Sequence, residues 1–294
     1  MTDAVFPLIY NPLAGAGERR AMKAAHTLKK LGARIELFPT TESGSATELA
    51  RLAVSRGAPR IIVAGGDGTL NEVINGIAGT RTELAIIPTG TANVLAIEMD
   101  VPMNVTKACA LAFEGKATAV DLGLAGDRYF ALMAGIGFDA MVIKNINPVL
   151  KKTIRHAAFP VSGLVTFIQE DLPLLSVKTA DHETEGYFVV VANSKYYGGR
   201  FGPTPDASMT DGMFDICVLK KKRLAEMLNF WIGALRKSRI DDSAAEYFRA
   251  PVVEVNCPTG SQVLVQTDGE IVGELPMSMT IVPRALNICA GEKG

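Results

Sequence analysis

One eight-residue stretch has the residue types of a phosphate-binding turn: Gly65-Gly66-Asp67-Gly68-Thr69-Leu70-Asn71-Glu72. It follows the apolar segment 60–64 and opens a segment whose apolar residues recur at helical spacing. Glycines permit positive φ angles and let backbone N–H groups approach a ligand, and a helix N-terminus adds partial positive charge. A P-loop would carry a lysine, whereas this turn carries Asp67. Because a carboxylate repels phosphate unless a cation or a proton mediates, Asp67 predicts a Mg²⁺ site, a general-base role, or both.

The same turn also has an ordinary structural interpretation. Thr69 and Glu72 have the spacing of a capping box, in which a hydroxyl and a carboxylate bond the first amides of a helix, and we expect this cap to form. Capping accounts for Thr69 and Glu72 but gives Gly65, Gly66 and Asp67 no role. Phosphate binding is therefore the favoured interpretation of the turn.

Three other loops follow predicted strands and offer further donors. The loop Pro88-Thr89-Gly90-Thr91-Ala92-Asn93 repeats the order of strand, glycine turn, hydroxyl and helix. The loop Asn11-Pro12-Leu13-Ala14-Gly15 follows the first strand, and Thr40 follows the second, with Gly44 four residues later. Ligands of an open parallel sheet bind beyond the carboxyl ends of its strands, so we expect these loops to lie beside the Gly65 turn.

The first 115 or so residues alternate strand-like and helix-like patterns. Strands are predicted at 6–10, 34–38, 60–64 and 84–87, and helices at 18–31 and 45–56, after the Gly65 turn, and twice more after residue 87. The apolar segment 60–64 is typical of a strand that is buried on both faces of a parallel sheet. This order predicts an α/β domain with a doubly wound, Rossmann-like parallel sheet.

From about residue 117 the pattern changes to short strands separated by turns. They are predicted at 119–124, 129–134, 175–179, 187–193, 213–219, 252–256, 262–267 and 277–282. Two helices interrupt them, at 148–170 and 224–237. A mainly antiparallel β-sandwich is expected. The predicted domains are therefore 1–118 and 119–294, with residues 284–294 packing back on the first domain.

The net charge and the cysteine content argue against several classes of protein. The chain of 294 residues has a formal net charge of −1, which argues against a nucleic-acid-binding protein. Its four cysteines and three histidines are scattered, which argues against disulfides and zinc sites and favours buried thiols in a reducing cytoplasm. The N-terminus lacks the basic start of a signal peptide, and the apolar runs are too short to span a membrane.

The sequence resembles the diacylglycerol kinase catalytic family, which includes sphingosine and ceramide kinases and soluble bacterial lipid kinases. The resemblance is carried by G-G-D-G-T-L-N-E-V at 65–73, P-x-G-T-x-N at 88–93 and N-P-x-x-G at 11–15. It extends over nearly the whole chain, through 135–140, 196–201, Asp211-Gly212 and Asp268-Gly269-Glu270. It implies an enzyme that uses ATP and Mg²⁺ to phosphorylate a lipid hydroxyl, foremost that of diacylglycerol, yielding phosphatidic acid.

The resemblance also implies roles for individual residues. Positions Gly66 to Glu72, Thr40 and Thr91 match nucleotide-binding positions, and Gly65 and Asn11 are included with them as neighbours in the same loops. Glu270 matches the general base that takes the proton of the acceptor hydroxyl, and Asp67 matches the acidic partner near the transferred phosphate. The remaining matches form a metal site, made by Asp211 with carbonyls near Ser208 and Met213, and by Asp121 through water.

The residues themselves support these later assignments less directly. Asp268-Gly269 between two alternating strands is a typical hairpin turn, and Asp211-Gly212 is also a turn. Glu270 has no such structural explanation. If a cleft between the domains brought Asp67 and Glu270 together, it would exclude water and protect the nucleotide from hydrolysis.

Basic clusters indicate how the protein would bind a membrane that contains its lipid substrate. They lie in the second domain, at Lys151-Lys152 with Arg155, at 220–223, and at Arg236-Lys237 with Arg239. The second cluster precedes the apolar segment 224–235, which contains the only tryptophan, Trp231. This arrangement fits docking on anionic headgroups, although a helix packed on the sandwich and flanked by solvated lysines would have the same sequence. We expect a cytoplasmic protein, peripheral at the inner face of the membrane, with a homodimer as a further expectation.

Two other functions are compatible with the main motif. NAD kinases and phosphofructokinases share G-G-D-G-[TS] before a helix, but the continuation L-N-E-V, the second loop and the late Asp-Gly-Glu favour lipid kinases. A nucleotide-binding regulator without turnover would often have lost Asp67 or Glu270, and both are present.

Overall fold

The computed structural model describes residues 4–13, 17–137, 140, 172–197, 199, 201–240 and 244–291. Several sequence predictions lie outside these residues: the helix at 148–170, the Lys151–Arg155 cluster, Ala14-Gly15 of the first loop, and Asp139 in the 135–140 motif. Contacts divide the chain into two compact units, Met1–Leu122 with Pro283–Gly294, and Gly123–Val282. Each unit is described by itself.

The first unit is an α/β domain with a parallel sheet. Its elements are β1 Val5–Tyr10, α1 Gly17–Lys30, β2 Arg34–Pro39, α2 Ser45–Ser55, β3 Arg60–Gly65, α3 Asp67–Ile77, β4 Glu83–Pro88, α4 Val94–Glu98, α5 Val105–Glu114, the start of β5 Ala117–Ala125 and the end of β16 Met277–Cys289. The strands are ordered β2-β1-β3-β4, all parallel, and residues 287–288 of β16 pair parallel to β4. The predicted doubly wound α/β domain is confirmed.

Local sequence explains why these elements form. In α1 the buried residues Ala21, Ala24, Ala25 and Leu28 recur every three or four positions, which places them on one helix face. In β3 five consecutive residues are buried, because a strand in the middle of this sheet is covered on both faces. Small alanines on the helix face let α1 lie close to the sheet.

Arg60 at the start of β3 bonds two other elements, α5 and β4. Its guanidinium donates to the backbone carbonyls of Ala112 at 2.6 Å, Phe113 at 3.1 Å and Gly115 at 2.8 Å, at the C-terminus of α5. It also pairs with the Glu83 carboxylate, 2.8 Å from Nε, at the start of β4. A cation at a helix C-terminus is favoured by the helix dipole, so Arg60 serves as the cap of α5.

The second unit is an antiparallel β-sandwich. Its further elements are β6 Arg128–Phe130, β7 Met133–Gly137, β8 Leu175–Lys178, β9 Glu183–Gly186, β10 Phe188–Ala192, β11 Phe214–Leu219, α6 Leu224–Arg236, β12 Ala245–Ala250, β13 Val252–Asn256, β14 Leu264–Thr267 and β15 Glu270–Glu274. One sheet has the order β12-β11-β10-β7-β14-β15, and the other contains β16, β13, β8 and β9. Apolar side chains from both sheets form the core, where the Phe130 and Phe214 rings stack 5.8 Å apart. The predicted sandwich is confirmed.

Two strand predictions in this region, at 129–134 and 277–282, have the wrong extent. The segment 129–134 is two strands, β6 and β7, because the amides of residues 131–133 bond a side chain instead of a neighbouring strand. The strand predicted at 187–193 is confirmed as β10, and β9, which precedes it, was not predicted. The strand expected at 277–282 runs on to Cys289, past Pro283, since the amide of Arg284 finds the Asp121 carboxylate at 2.8 Å in place of a ladder partner. Strand β12 was not predicted.

Two general features agree with the sequence. All four cysteines are free and buried, as predicted. In the described part of the chain, no helix combines the length and the apolar character needed to cross a bilayer.

The Arg60 cap predicts a stability difference between two arginines. Arg60→Met leaves three carbonyls and a carboxylate without their cation, so the free energy of unfolding should fall by about 2–4 kcal/mol. Arg51→Met is the control, because Arg51 pairs with Glu48 at an exposed site and its loss should change stability by less than about 0.5 kcal/mol. Urea unfolding followed by circular dichroism measures both. Equal effects of the two substitutions would refute the capping role.

Candidate active site

The Gly65 turn joins the end of β3 to the start of α3. Gly66 is extended, with φ −104° and ψ −174°, and none of the described glycines 65, 66 and 68 has a positive φ. The positive φ that glycine permits is therefore not used at these three positions. The observed reason for a glycine is space: a Cβ on Gly65 would lie 2.9 Å from Cβ of Thr69, inside the first turn of α3.

The turn packs backbone to backbone against the loop after β4. A Cβ on Gly90 would lie 2.6 Å from Cα of Gly66, and the Thr89 amide donates to the Gly65 carbonyl at 3.0 Å. The Asn93 side chain brackets Gly90, because its Oδ1 accepts from the Gly90 amide and its Nδ2 donates to the Gly90 carbonyl, both at 2.9 Å. The glycine of P-x-G-T-x-N thus allows the two loops to touch, and the asparagine fixes the backbone of its own loop at Gly90.

Asp67 is bonded to the second loop. Its Oδ1 accepts from the backbone amides of Val94 at 2.7 Å and Leu95 at 3.4 Å, at the start of α4. Burial raises the pKa of Asp67 above its ordinary value of 3.8, and the hydrogen bonds from backbone amides oppose that rise. Capping gave Gly65, Gly66 and Asp67 no role, and the structure shows that all three shape the junction of the two loops.

The predicted capping box does not form. Helix α3 begins at Asp67 with Gly66 as its N-cap, and no side chain caps it. Glu72 instead accepts the amide of Ala46 at 3.0 Å through Oε2, and its carbonyl accepts the Thr47 hydroxyl at 2.9 Å. The cause lies in α2, whose N-cap Gly44 has no side chain, so the amide of Ala46 in its first turn takes an acceptor from α3.

The first amides of α3 precede its internal hydrogen bonding. The first intrahelical bond joins the Leu70 amide to the Gly66 carbonyl at 3.1 Å, so the amides of residues 67–69 lie before it. Gly68 is exposed, whereas Leu70 and Asn71 are buried, at 1% and 3% exposure. The exposed start of α3 is thus an arrangement suited to an anion, while Leu70 packs in the core. Nucleotide contact by these residues stays a prediction.

The remaining predicted nucleotide residues follow the carboxyl ends of β1, β2 and β4. Asn11 Oδ1 accepts the Leu13 amide at 2.9 Å, and the buried Thr40 donates its amide to the Tyr10 carbonyl at 2.9 Å. Thr91 is exposed. Because these strands and β3 are parallel members of one sheet, their carboxyl ends lie at the same sheet edge as the Gly65 turn.

Arg20 was missed by the sequence reasoning. Its Nη1 donates to the Thr89 carbonyl at 2.8 Å, so α1 brings a cation to the loop after β4. The dipeptide Arg19-Arg20 just after the first glycine loop was the available signal.

In the second unit, the Asp268-Gly269 turn is pinned by its own aspartate. Asp268 and Gly269 have φ of 49° and 89°, the left-handed pair of a two-residue hairpin, as predicted. The Asp268 carboxylate accepts three backbone amides, from Ala131 at 2.7 Å, Leu132 at 2.9 Å and Met133 at 3.0 Å. These bonds create the break between β6 and β7 and fix the turn to it.

Glu270 begins β15 directly after this turn. Its carboxylate pairs with the guanidinium of Arg128 on β6, and both side chains are partly exposed, at 40% and 34%. In the same turn, the Gly269 amide donates to Gln266 Oε1 at 2.8 Å. The hydroxyl of Thr267 is buried and has no hydrogen-bond partner in the described structure. Arg128 was also missed by the sequence reasoning, because it is remote from Glu270 in sequence.

The predicted metal residues around Asp211 already hold a cation. Asp211 Oδ1 accepts the Met213 amide at 3.1 Å, and its other oxygen pairs with Arg249, which also bonds Asp215 at 3.3 Å. The Ser208 hydroxyl contacts that of Thr210 at 3.2 Å. Arg249 supplies positive charge next to Asp211 in this arrangement, and a metal site made by Asp211 with the carbonyls near Ser208 and Met213 stays a prediction. The described residues contain no group of three or more His, Cys, Asp or Glu side chains suited to a metal.

Asp121 lies in the first unit, on β5. It is 2% exposed, and its Oδ1 accepts the Arg284 amide at 2.8 Å. This bond anchors β16 beside β5 and is a structural role. The predicted water-mediated contact of Asp121 with a metal stays a prediction.

Comparison with known proteins agrees with this architecture. Residues 6–125 match the model of the diacylglycerol kinase catalytic domain, and residues 133–290 match that of the YegS C-terminal NAD kinase beta sandwich-like domain. The chain is 32% identical over 295 residues to a diacylglycerol kinase of Bacillus subtilis (strain 168), covering 96% of this chain and 94% of that protein. It is 30% identical over 291 residues to a diacylglycerol kinase of Staphylococcus aureus (strain RF122), covering 96% and 91%.

Solved structures give the same result. A Bacillus anthracis (strain Sterne) protein assigned as a diacylglycerol kinase aligns with a TM-score of 0.81 at 25% identity, over 98% of this chain and 95% of that chain. A second structure from that organism aligns at 23% identity with a TM-score of 0.77 over 99% and 98%, which supports the fold. On these grounds the chain belongs to the diacylglycerol kinase family and is a lipid kinase.

Proposed function

We propose that this lipid kinase transfers the γ-phosphoryl group of ATP to the hydroxyl group of diacylglycerol in a Mg²⁺-dependent reaction. The observation that carries the proposal is the junction of the two loops at Gly66 and Gly90, where the carboxylate of Asp67 is held beside the N-terminus of α3. The names of the relatives in Bacillus subtilis and Staphylococcus aureus support diacylglycerol as the acceptor.

The donor side of the reaction uses the backbone of the first unit. The amides of residues 67–69 precede the first internal bond of α3, so they can donate to phosphate oxygens, and the helix dipole favours that negative charge. Arg20, anchored to the Thr89 carbonyl, adds a cation beside the second loop. The amides and the Arg20 cation would partly neutralise the negative charge of a bound polyphosphate.

Asp67 is the residue that would hold Mg²⁺. Magnesium sites in phosphoryl-transfer enzymes use one or two protein carboxylates together with phosphate oxygens, so a single fixed carboxylate beside a phosphate site fits. The amides of α4 hold the Asp67 carboxylate in place. When bound, the metal would neutralise charge on the transferred phosphoryl group. We do not assign it to Asp211, because Arg249 occupies that carboxylate.

The acceptor side of the reaction uses Glu270. The general base accepts the hydroxyl proton while the lipid oxygen forms its bond to phosphorus and the bond to ADP breaks. The ion pair with Arg128 orients the Glu270 carboxylate, which remains partly exposed. Asp268 holds the hairpin turn in place and thereby fixes the position of the Glu270 backbone.

A second acceptor class is kept open by one observation. The model that matches residues 133–290 is described as NAD kinase beta sandwich-like, so a dinucleotide hydroxyl is the competing acceptor. It belongs in any test of substrate.

The first test measures phosphoryl transfer from labelled ATP. Dispersed diacylglycerol, sphingosine, ceramide, phosphatidylglycerol, undecaprenol and NAD are compared as acceptors, with and without Mg²⁺. We expect labelled phosphatidate as the main product, dependent on Mg²⁺. Asp67→Asn should lower turnover by about 10²–10³-fold while keeping the fold, since the amide oxygen can still accept from α4. Asp181→Asn, at an exposed aspartate, is the matched control with unchanged turnover.

Transfer to NAD alone, or full activity of Asp67→Asn, would contradict the proposal. The fold of Asp67→Asn is checked by its melting temperature at neutral pH. The pKa of Asp67 is raised in the folded state, so its ionised form lowers stability at pH values above the folded pKa, and this loss disappears as the pH falls towards 3.8. The variant should therefore be at least as stable as the wild type at neutral pH.

The second test concerns Glu270. Glu270→Gln keeps a side chain that can accept from Arg128 but cannot take a proton, so turnover should fall by about 10²–10⁴-fold with little change in ATP binding. Glu274→Gln, at the exposed end of the same strand, is the control and should be close to wild type. Turnover and fluorescent-nucleotide affinity are the two measurements. If both glutamine variants were equally active, Glu270 would not be the base.

The third test is the acid limb of the pH–rate profile. Burial raises the pKa of Asp67 above 3.8, so protonation should remove its negative charge, and with it Mg²⁺ and turnover, at a higher pH than for an ordinary aspartate. Because metal and proton compete for one carboxylate, raising the Mg²⁺ concentration should move this limb to lower pH. A limb unaffected by Mg²⁺ would assign it to another group.

A further inference from the structure

Helix α6 presents a row of apolar side chains to solvent. Leu228 and Ile232 are each 47% exposed and Leu235 is 66% exposed, and their spacing of four and three residues places them on one helix face. The exposed part of this face has no acidic residue among the described positions, since the only acidic residue of the helix, Glu226, is partly buried. We call Leu228, Ile232 and Leu235 the α6 stripe.

The opposite face of α6 is accounted for by packing. Met227, Phe230 and Ala234 are 4%, 2% and 1% exposed, and the Phe230 ring contacts that of Phe188 on β10 at 5.4 Å. The interpretation of this segment as a helix packed on the sandwich is therefore confirmed, and membrane docking stays a prediction. The buried face explains why α6 is a helix on the sandwich, and it leaves the stripe without an explanation.

Aromatic side chains border the stripe. The half-buried Trp231 contacts the rings of Tyr197 at 6.2 Å, Phe201 at 6.1 Å and Phe230 at 5.6 Å. Tryptophan and tyrosine, with an apolar body and a polar tip, are the residues that settle at the level of lipid headgroups.

Cationic residues lie at both ends of the stripe. Residues 220–239 contain seven lysine or arginine residues and one acidic residue. Lys221 and Arg236 are exposed and form no ion pair with any residue that the structure describes, whereas Arg239 pairs with Asp206 at 2.9 Å. The acidic pair at 241–242 follows in the sequence and lies outside the described residues. The positive charge of the segment is therefore only partly compensated.

We infer that the α6 stripe docks the enzyme on a bilayer that contains anionic phospholipid. A helix of 13 residues is too short to span a bilayer, and its exposed leucines and isoleucine would enter the acyl boundary while the flanking cations meet the headgroups. A second copy of this chain fits less well, because pairing two stripes would bring two sets of cations together. The inference rests on the proposed function for its lipid substrate and on α6 for its location.

Trp231 allows a direct test without any substitution, because it is the only tryptophan. Vesicles of phosphatidylcholine with phosphatidylglycerol, and vesicles of phosphatidylcholine alone, are titrated into the protein. We expect a blue shift of the Trp231 emission with the anionic vesicles, quenching by acyl-chain-brominated phosphatidylcholine, and weaker binding at high salt. A Trp231 emission that neither shifts nor is quenched would overturn the inference.

The triple variant Leu228→Gln, Ile232→Gln, Leu235→Gln tests the stripe itself. Each side chain is already exposed, so the melting temperature should be nearly unchanged, while affinity for anionic vesicles should fall by at least about ten-fold. The control is Leu52→Gln with Met103→Gln, at positions 40% and 47% exposed in the first unit, and it should bind like the wild type. Lys221→Gln with Arg236→Gln should weaken binding at low salt, and Lys29→Gln with Lys30→Gln, exposed in α1, should not.

The acceptor separates failure of docking from failure of the proposed function. With a short-chain diacylglycerol dissolved as monomers, the triple variant should turn over at the wild-type rate, whereas on vesicles it should be at least about ten-fold slower. Equal vesicle binding by the triple variant and the wild type would refute the stripe, whatever the activity. A concentration-dependent dimer that is lost in the triple variant, without Trp231 quenching, would assign the stripe to a second copy. Absence of turnover on every lipid, with docking intact, would refute only the proposed function.

Discussion

The site depends on a carboxylate that is held by backbone amides. Asp67 loses hydration at the sheet edge, which raises its pKa, and the amides at the start of α4 compensate in part. This is feasible only because the loop after β4 lies against the Gly65 turn, and that contact needs glycine on both sides, at Gly66 and Gly90. The family motif is therefore first a packing motif. Its exposed surface, the start of α3 beside a fixed carboxylate, is what phosphoryl transfer would use.

A carboxylate held by backbone amides also occurs in the β-sandwich. Asp268 has three backbone amides as partners, and this changes the local structure, because the residues that bond it leave the strand ladder. Glu270, two residues later, has a cation as its partner and remains partly exposed. Asp268 is bonded to three amides and stabilises a turn, whereas Glu270 is paired with arginine at the surface and remains accessible. The partners of these two neighbouring carboxylates therefore separate a structural role from a proposed chemical one.

The partner also decides between interpretations that the sequence left open. Asp211 matched a metal position, and the structure pairs it with the distant Arg249. Glu72 matched a helix cap of its own helix, but it serves α2, whose N-cap is a glycine. Helix α6 matched both a packed helix and a membrane-facing one, and burial shows one packed face and one exposed apolar face, the second of which we propose for docking. In each case a charged or apolar group had two plausible neighbours, and only the three-dimensional arrangement selected one.

The order of strands and helices in the first unit, the hairpin at Asp268-Gly269 and the buried cysteines were all determined by the sequence alone. Periodicity and turn chemistry act over a few residues, so they can be recognised without knowledge of distant neighbours. The tertiary structure alone decided the break between β6 and β7, the length of β16 and the pairings of Glu72 and Glu270. Those pairings join residues 26 and 142 positions apart, and no local pattern encodes which distant group will be the partner. A buried polar group takes the nearest available partner, and folding determines which one is near.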